Sequence, residues 1–393
     1  MDGVSNISGT NQCERRTVST RQIPVIVLAG FLGSGKTTLL NHLLHRSGGS
    51  RIGAIVNDFG SIEIDAMSVA GQLGDSTVSL GNGCLCCAVD ASELDEYLER
   101  LARPSARIDV IVIEASGLAE PEELVRMLLA SENTHIVYGG LVQVVDAAEF
   151  DATRERHPEV DRHLGIADLV VVNKSDRVAV EERERVLGVV RGLAGRAAVV
   201  AASYGRVDVE LLLDRKPVGE RVGQLSFDDL HAAEREGHDH DHDDGHGDEC
   251  GDGHDGHDGH ARHLHSAYES LAFVSEVPLS PRPLMAFLDS RPEGLYRIKG
   301  YVDFGPSDPK NRYLVHSVGR FLRFYPEPWP VAEPHRTQLV LIGSSIDADG
   351  LEKELEACRA EAPQADEHGM WGVLRYVQEP EEPEEAPEEA PEG

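Results

Sequence analysis

Gly30-Phe31-Leu32-Gly33-Ser34-Gly35-Lys36-Thr37 is the stretch that most limits what this chain can fold into. It satisfies G-x-x-x-x-G-K-[ST] at every position. The apolar run Pro24–Ala29 leads into it and the helical pattern Lys36–Arg46 leads out. A strand, a glycine-rich turn and a helix in that order make a phosphate-binding loop. Glycines let backbone N–H groups close around an anion without Cβ clashes, and the helix N-terminus adds the positive end of a dipole. Gly30, Gly33, Ser34, Gly35 and Thr38 are expected to wrap nucleotide phosphates. Lys36 is expected to reach the β- and γ-phosphates, and the Thr37 hydroxyl to bind Mg²⁺. The alternative is a glycine-rich turn with no ligand.

The pattern around this loop sets the fold class. Val/Ile/Leu runs at Pro24–Ala29, Ile52–Asn57, Val110–Ala115, Leu141–Asp146, Leu169–Asn173 and Ala198–Ser203 alternate with helical stretches such as Glu120–Ala130. Unbroken runs of this kind suit parallel strands buried on both faces. The alternation predicts an α/β domain of three layers, the P-loop NTPase arrangement with a mostly parallel sheet. Ligands in such domains bind beyond the carboxyl ends of the strands. A second pattern follows: strands near Tyr268–Val277, Tyr296–Phe304, Tyr313–Tyr325 and Gln338–Gly343, with helices near Arg282–Ser290 and Asp349–Cys358. It predicts a smaller α+β domain with a mostly antiparallel sheet.

Two more strand ends carry chemistry. Val110–Ile113 ends in Glu114, a Walker-B-like position from which a carboxylate either holds Mg²⁺ through water or orients an attacking water. Taken alone, an acid at a strand end is equally a solvated terminus. Leu169–Val172 ends in Asn173-Lys174-Ser175-Asp176, the N-K-x-D pattern by which GTPases select guanine. The Asp176 carboxylate can accept from N1–H and the exocyclic amine of guanine; adenine presents neither arrangement, so its binding would leave a polar group unpaired. Ala201-Ala202-Ser203, after the next strand, falls where backbone contacts to the base are usual.

Charge divides the chain further. The formal net charge is −32 over 393 residues. From His231 to His265 there are eleven acids, two Arg and ten His, and from Glu379 to Glu392 eight Glu, so these two segments supply −9 and −8. Neither has the apolar residues to offset the entropy of ordering, and both are predicted to be disordered. The expected organisation is an arm over 1–22, a GTPase domain over 23–218, a His/Asp-rich linker over 219–267, a second domain over 268–378 and an acidic tail over 379–393. The acidity argues against a nucleic-acid partner and against anionic membranes. No run of about 18 apolar residues is present to span a bilayer, and residues 1–22 lack a secretory apolar core. Imidazoles interleaved with carboxylates, as in Asp239–His242, suit weak capture of divalent ions or, more blandly, a solvated spacer.

Gly83-Cys84-Leu85-Cys86-Cys87 places three of the six cysteines within four residues. Six cysteines are too few for a disulfide scaffold in a chain of this size, and the cluster points to metal or redox chemistry in a reducing, cytoplasmic setting. Thiolates are soft ligands for Zn²⁺, Co²⁺ or Cu⁺. Adjacent Cys86 and Cys87 cannot easily share one tetrahedral ion, so two or three thiolates plus an outside ligand are expected, a shell suited to metal that is handed on. Buried free thiols and a redox pair are the other readings. Cys358 receives no role, and Trp329 and Trp371 are expected to pack.

With these residues in order, the sequence resembles the CobW-type metal-chaperone GTPases, in the branch with the urease and hydrogenase nickel-insertion GTPases. The resemblance rests on Gly30–Thr38, Asn57-Asp58-Phe59-Gly60 with Ile64-Asp65, Gly83–Cys87, Ile113–Pro121, Val145-Asp146 and Asn173–Asp176. In the second domain it rests on Arg297–Gly300 and Leu341–Gly343. It implies Mg²⁺-dependent GTP binding and slow hydrolysis, coupled to delivery of a divalent metal, Zn²⁺ or Co²⁺, to a client metalloprotein; a homodimer is one arrangement left open. Cys84, Cys86 and Cys87 become the metal motif, and Asn57–Gly60 a switch-like loop with Asp58 as a catalytic candidate. There the family usually has Asn-Glu-Phe-Gly-Glu, whereas this chain has Asp58 and Ser61. Cobalt supply for cobalamin synthesis, or passive metal storage with a vestigial nucleotide site, are the alternatives.

Overall fold

The computed structural model describes residues 22–47, 50–57, 77–80, 91–117, 119–213, 268–290, 292–330, 333–360 and 366–377. Asp58, the three clustered cysteines, residues 1–21, the linker 219–267 and the tail 379–393 lie outside the described residues.

The first unit begins with β1 (Ile23–Ala29) and α1 (Lys36–His45), followed by β2 (Ile52–Asn57), β3 (Thr77–Leu80), α2 (Ala91–Ala102), β4 (Val110–Glu114) and α3 (Pro121–Ala130). It continues through β5 (Ile136–Asp146), α4 (Phe150–Arg156), α5 (Val160–Ile166), β6 (Leu169–Asn173), α6 (Val180–Ala194), β7 (Ala198–Ala201) and α7 (Val209–Leu212). The strands form one parallel sheet in the order β3-β2-β4-β1-β5-β6-β7. Alternate residues of each strand face opposite layers. Ile26 and Leu28 of β1 pack with Leu39, Leu40 and Leu43 of α1. Val25 and Val27 pack with Leu94 and Leu98 of α2 and Leu124 of α3 on the other side. Each such side chain contributes about 1.5–3 kcal/mol through burial, which explains why the runs are apolar throughout.

The second unit holds β8 (Glu269–Ser275), α8 (Pro281–Ser290), β9 (Leu295–Val302), β10 (Asn311–Val318), β11 (Phe321–Pro328), β12 (Thr337–Gly343), α9 (Ala348–Glu356) and α10 (Glu367–Leu374). Its sheet is antiparallel throughout, ordered β11-β10-β9-β12-β8. One face is sealed by α8, α9 and α10 through Leu284, Leu288, Leu355 and Met370.

Four sequence expectations need correction. Tyr313–Tyr325 is two strands rather than one, because Gly319 and Arg320 turn the chain between β10 and β11. β3 and α10, four and eight residues long, are too short to show a period in the sequence. Trp371 does not pack inside: it is 65% exposed on α10, beside His368. β5 begins five residues before Leu141. Gly139 and Gly140, just ahead of the apolar run, both lie in the strand. At Gly140 (φ +114) a Cβ would lie 2.7 Å from Val318 Cγ1 and 3.1 Å from the Tyr296 hydroxyl, so the glycine admits the second domain against the strand.

That contact belongs to an extensive junction. Tyr296 and Val318 join the apolar cluster of the first unit. His316 Nε2 lies 3.0 Å from the Tyr138 carbonyl, Ser344 Oγ donates to the Val199 carbonyl at 2.9 Å, and Arg297 donates to the Leu212 carbonyl at 3.2 Å. At its centre is Asp168, 7% exposed, whose Oδ2 accepts the Tyr138 hydroxyl at 2.6 Å and the Leu141 N–H at 2.9 Å. Burial and the Asp168 charge push the Tyr138 phenol far above its ordinary range, so it remains a donor at any working pH. Asp168→Ala strands both donors and is expected to cost about 3 kcal/mol, read as a lowered midpoint in urea unfolding.

Cys358 closes α9 with its Sγ directed at the Glu354 carbonyl, 3.2 Å away. Burial pushes the thiol up to about 11. Iodoacetamide at neutral pH is therefore expected to leave Cys358 unmodified in folded protein and to label it after denaturation, measured by peptide mass spectrometry.

Candidate functional site

The residues singled out for nucleotide chemistry come from three non-adjacent stretches, and parallel strand ends bring them together. β1, β4 and β6 end at one edge of the sheet, where a cavity of about 620 Å³ opens. Its lining includes Gly33, Gly35, Lys36, Thr37 and Thr38 after β1, Glu114 at the end of β4, and Asn173, Lys174 and Asp176 after β6. The volume falls within the range of small-molecule sites.

The phosphate loop is locally determined. Gly35 has φ +102 and serves as the N-cap of α1. A Cβ there would sit 2.2 Å from Asn173 Nδ2, so both the conformation and the space require glycine. Lys36 is 7% exposed, and its Nζ donates to the carbonyls of Gly30 (2.8 Å) and Phe31 (3.2 Å), arching back across the loop. Gly30 thus acts from behind the loop rather than lining the cavity. Ser34 backs onto a smaller cavity of about 310 Å³.

Thr37 Oγ1 donates to Glu114 Oε1 at 2.6 Å, with Glu114 4% exposed. A hydroxyl and a carboxylate side by side are hard oxygen donors, the set Mg²⁺ takes when phosphates complete its shell. The cavity, the oxygen pair and the lysine ammonium fit a Mg²⁺–nucleoside triphosphate: Thr37 and Glu114 would hold the cation, and Lys36 with the loop amides the phosphates. When bound there, Mg²⁺ would supply charge neutralisation for phosphoryl transfer.

At the opposite end, Asn173 is 2% exposed. Its Nδ2 donates to the Ser34 carbonyl at 2.9 Å, and its Oδ1 accepts the Gly205 N–H at 2.9 Å. One side chain therefore joins the phosphate loop to the turn after β7. Backbone bonds from Ala202 N to Val172 O (2.8 Å) and from Ser175 N to Ala202 O (3.0 Å) bring Ala201–Ser203 alongside the guanine-type loop. Asp176 is exposed on the 3₁₀ turn Ser175–Arg177, its carboxylate available to a ligand.

The sequence reading missed several neighbours. Tyr204 lines the cavity, 67% exposed with φ +55, and Arg206 lies 5.8 Å from its ring centre; only the Tyr-Gly turn after a strand hinted at it. Phe31 is flanked by His157 (ring centres 4.6 Å) and His163 (6.3 Å). His163 Nε2 is in turn 3.2 Å from Glu120, which closes the loop after β4. That cluster ties the phosphate loop to the segment following Glu114. Among the described residues no group of three metal-ligating side chains converges.

Comparison with known proteins agrees with this layout. Residues 24–201 match the CobW/HypB/UreG nucleotide-binding domain, and residues 268–359 match the cobalamin synthesis protein CobW C-terminal domain. A protein named zinc chaperone CobW from Sinorhizobium sp is 31% identical over 353 residues, covering 82% of this chain and 93% of its own length. One of the same name from Pseudomonas aeruginosa is 33% identical over 372 residues, covering 86% and 92%. The zinc chaperone YjiA of Escherichia coli K12 is 30% identical over 198 residues, covering 49% and 61%. On near-full-length similarity, a matching nucleotide-binding domain and a matching C-terminal domain in the expected order, this chain belongs to the CobW/HypB/UreG family.

Proposed function

We propose that the chain is a Mg²⁺-dependent GTPase that binds a divalent metal, Zn²⁺ first among candidates, through Cys84, Cys86 and Cys87 and delivers it to a client metalloprotein. The observation that carries the nucleotide half is the 2.6 Å bond between Thr37 and Glu114, which sets a Mg²⁺-type oxygen pair at one end of a cavity whose other end holds Asp176. Lys36, Thr37 and Glu114 would act on the phosphates and the cation, with Asp58, the residue after β2 in the sequence. Gly33, Gly35, Thr38, Asn173, Lys174 and Asp176 would bind and select the nucleotide, with Gly30 and Ser34 shaping the phosphate loop from behind.

The metal half is supported by three thiols within four residues and by relatives whose names specify zinc. β2 and β3 run parallel to β1 and β4 and end at the same edge of the sheet, at Asn57 and Leu80, one and four residues before Asp58 and Cys84 in the sequence. Mg²⁺–GTP would order the segments after these two strands together and tighten the thiolate site; hydrolysis would loosen them and release the ion. By reciprocity, metal tightens GTP binding by the same factor. A reducing compartment such as the cytoplasm suits free thiolates, and among the described residues no helix is long and apolar enough to cross a membrane.

The test is Zn²⁺ affinity measured with GDP and with a non-hydrolysable GTP analogue, for the wild type and for Cys86→Ala. Tighter binding with the analogue, lost in the variant, is expected. Equal affinities with the two nucleotides would sink the coupling.

A further inference from the structure

Lys174 stands between two cavities. It lines both the nucleotide cavity and the smaller one behind the phosphate loop, whereas Asp146 lines only the smaller one. The Lys174 ammonium donates to Asp146 Oδ2 at 2.7 Å, with side chains 25% and 11% exposed. Asp146 is itself held: its Oδ1 accepts the Ala148 N–H at 3.0 Å, and it sits at the end of β5, directly opposite Asn173 of β6 in the parallel register. Lys174 adopts a left-handed backbone (φ 57, ψ 29), a conformation a lysine keeps only when its surroundings hold it there.

The charge is therefore drawn toward the smaller cavity, while the methylene stem remains at the wall of the larger one. A Lys174 ammonium released into the nucleotide cavity would find Asp176, two residues on, as the nearest carboxylate of its own loop. An Asp176 so paired could not accept two hydrogens from guanine. Holding the lysine head aside does two things at once. It leaves Asp176 available, and it presents an apolar shelf to the face of a purine.

Building on the GTP reading above, we propose that Asp146 is a positioning residue for guanine recognition, acting by holding the Lys174 ammonium out of the nucleotide cavity. The experiment is a double-mutant cycle on the full chain, with GDP affinity measured by calorimetry for wild type, Asp146→Asn, Lys174→Met and the double variant. Steady-state GTP hydrolysis is followed alongside. Asp146→Asn keeps the shape of the side chain and its acceptor for Ala148 N–H, and an unchanged melting temperature verifies the fold. Loss of the charge-assisted bond is expected to weaken GDP about tenfold, with the loss of GTP turnover falling on KM rather than kcat. In the Lys174→Met background the same substitution is expected to change GDP affinity by less than about twofold, because no ammonium remains to misplace. Wild-type GDP affinity in Asp146→Asn, or an equal loss in both backgrounds, would overturn the positioning role while leaving the GTP reading intact. A wild type that binds ATP as tightly as GTP would instead remove the GTP reading, and this role with it.

Discussion

Asp176→Asn is expected to lower GTP affinity about a hundredfold or more and to create affinity for xanthosine triphosphate. An aspartate at this position accepts twice, from guanine N1–H and from the exocyclic amine. An asparagine offers one acceptor and one amino group, so the guanine amine then faces a second donor. Xanthine carries a carbonyl where guanine carries the amine and restores the match. A site built around paired hydrogen bonds discriminates strongly because a mismatch leaves buried polar groups unpaired. Asp176 is exposed on its turn, and the fold around it is held by Asn173 and Ser175, so the change acts on recognition rather than stability. Competition between the two triphosphates for a fluorescent guanine nucleotide measures the switch. Retained GTP affinity would place the base elsewhere.

The second large effect is expected at the other end of the cavity. Glu114→Gln keeps an acceptor for the Thr37 hydroxyl but removes the charge beside it. If the carboxylate organises Mg²⁺ or the attacking water, single-turnover phosphate release should slow by about 10²–10³-fold, the scale seen when one preorganised electrostatic group is lost from a transition state. Nucleotide affinity should fall far less and become less sensitive to Mg²⁺. Hydrolysis at the wild-type rate would show that the buried Thr37–Glu114 bond only braces β4 against α1. The two predictions probe opposite ends of the same ligand and should add independently.

How much of this site was legible in the sequence depends on how locally each part is specified. The phosphate loop needs only consecutive residues: glycines with room for left-handed backbone, a helix start, a lysine and a threonine. The guanine-type loop is equally compact, and the apolar runs leading to each announced parallel strands. What could not be read were partners chosen by the fold. Asp146 and Lys174 are 28 residues apart and meet because β5 and β6 are neighbours in register. Tyr138 and Asp168 meet for the same reason at the other ends of those strands. The first half of β5 went unread because Gly139-Gly140 interrupts its apolar run, and the reason for a glycine there, the second domain pressed against the strand, lies far along the chain. Trp371 misled because a large aromatic is usually buried, and here α10 turns it outward. Asp58, Cys84, Cys86 and Cys87 remain defined by their chemistry alone.

The junction around Asp168 also has a consequence for how the protein is made. Domains tend to fold as units during synthesis, N-terminal first. Here the parallel sheet is complete in the chain by β7, yet its surface stays unfinished until much later. The Tyr138 carbonyl waits for His316, the groove at Gly140 for Val318, and the Val199 carbonyl for Ser344. Through translation of everything between, the nascent first domain presents an apolar, hydrogen-bond-hungry patch. The long hydrophilic segment that separates the two domains in sequence is synthesised during that interval. That segment carries −9 from His231 to His265 alone, so what it adds before the last strands arrive is repulsion between copies rather than further apolar surface.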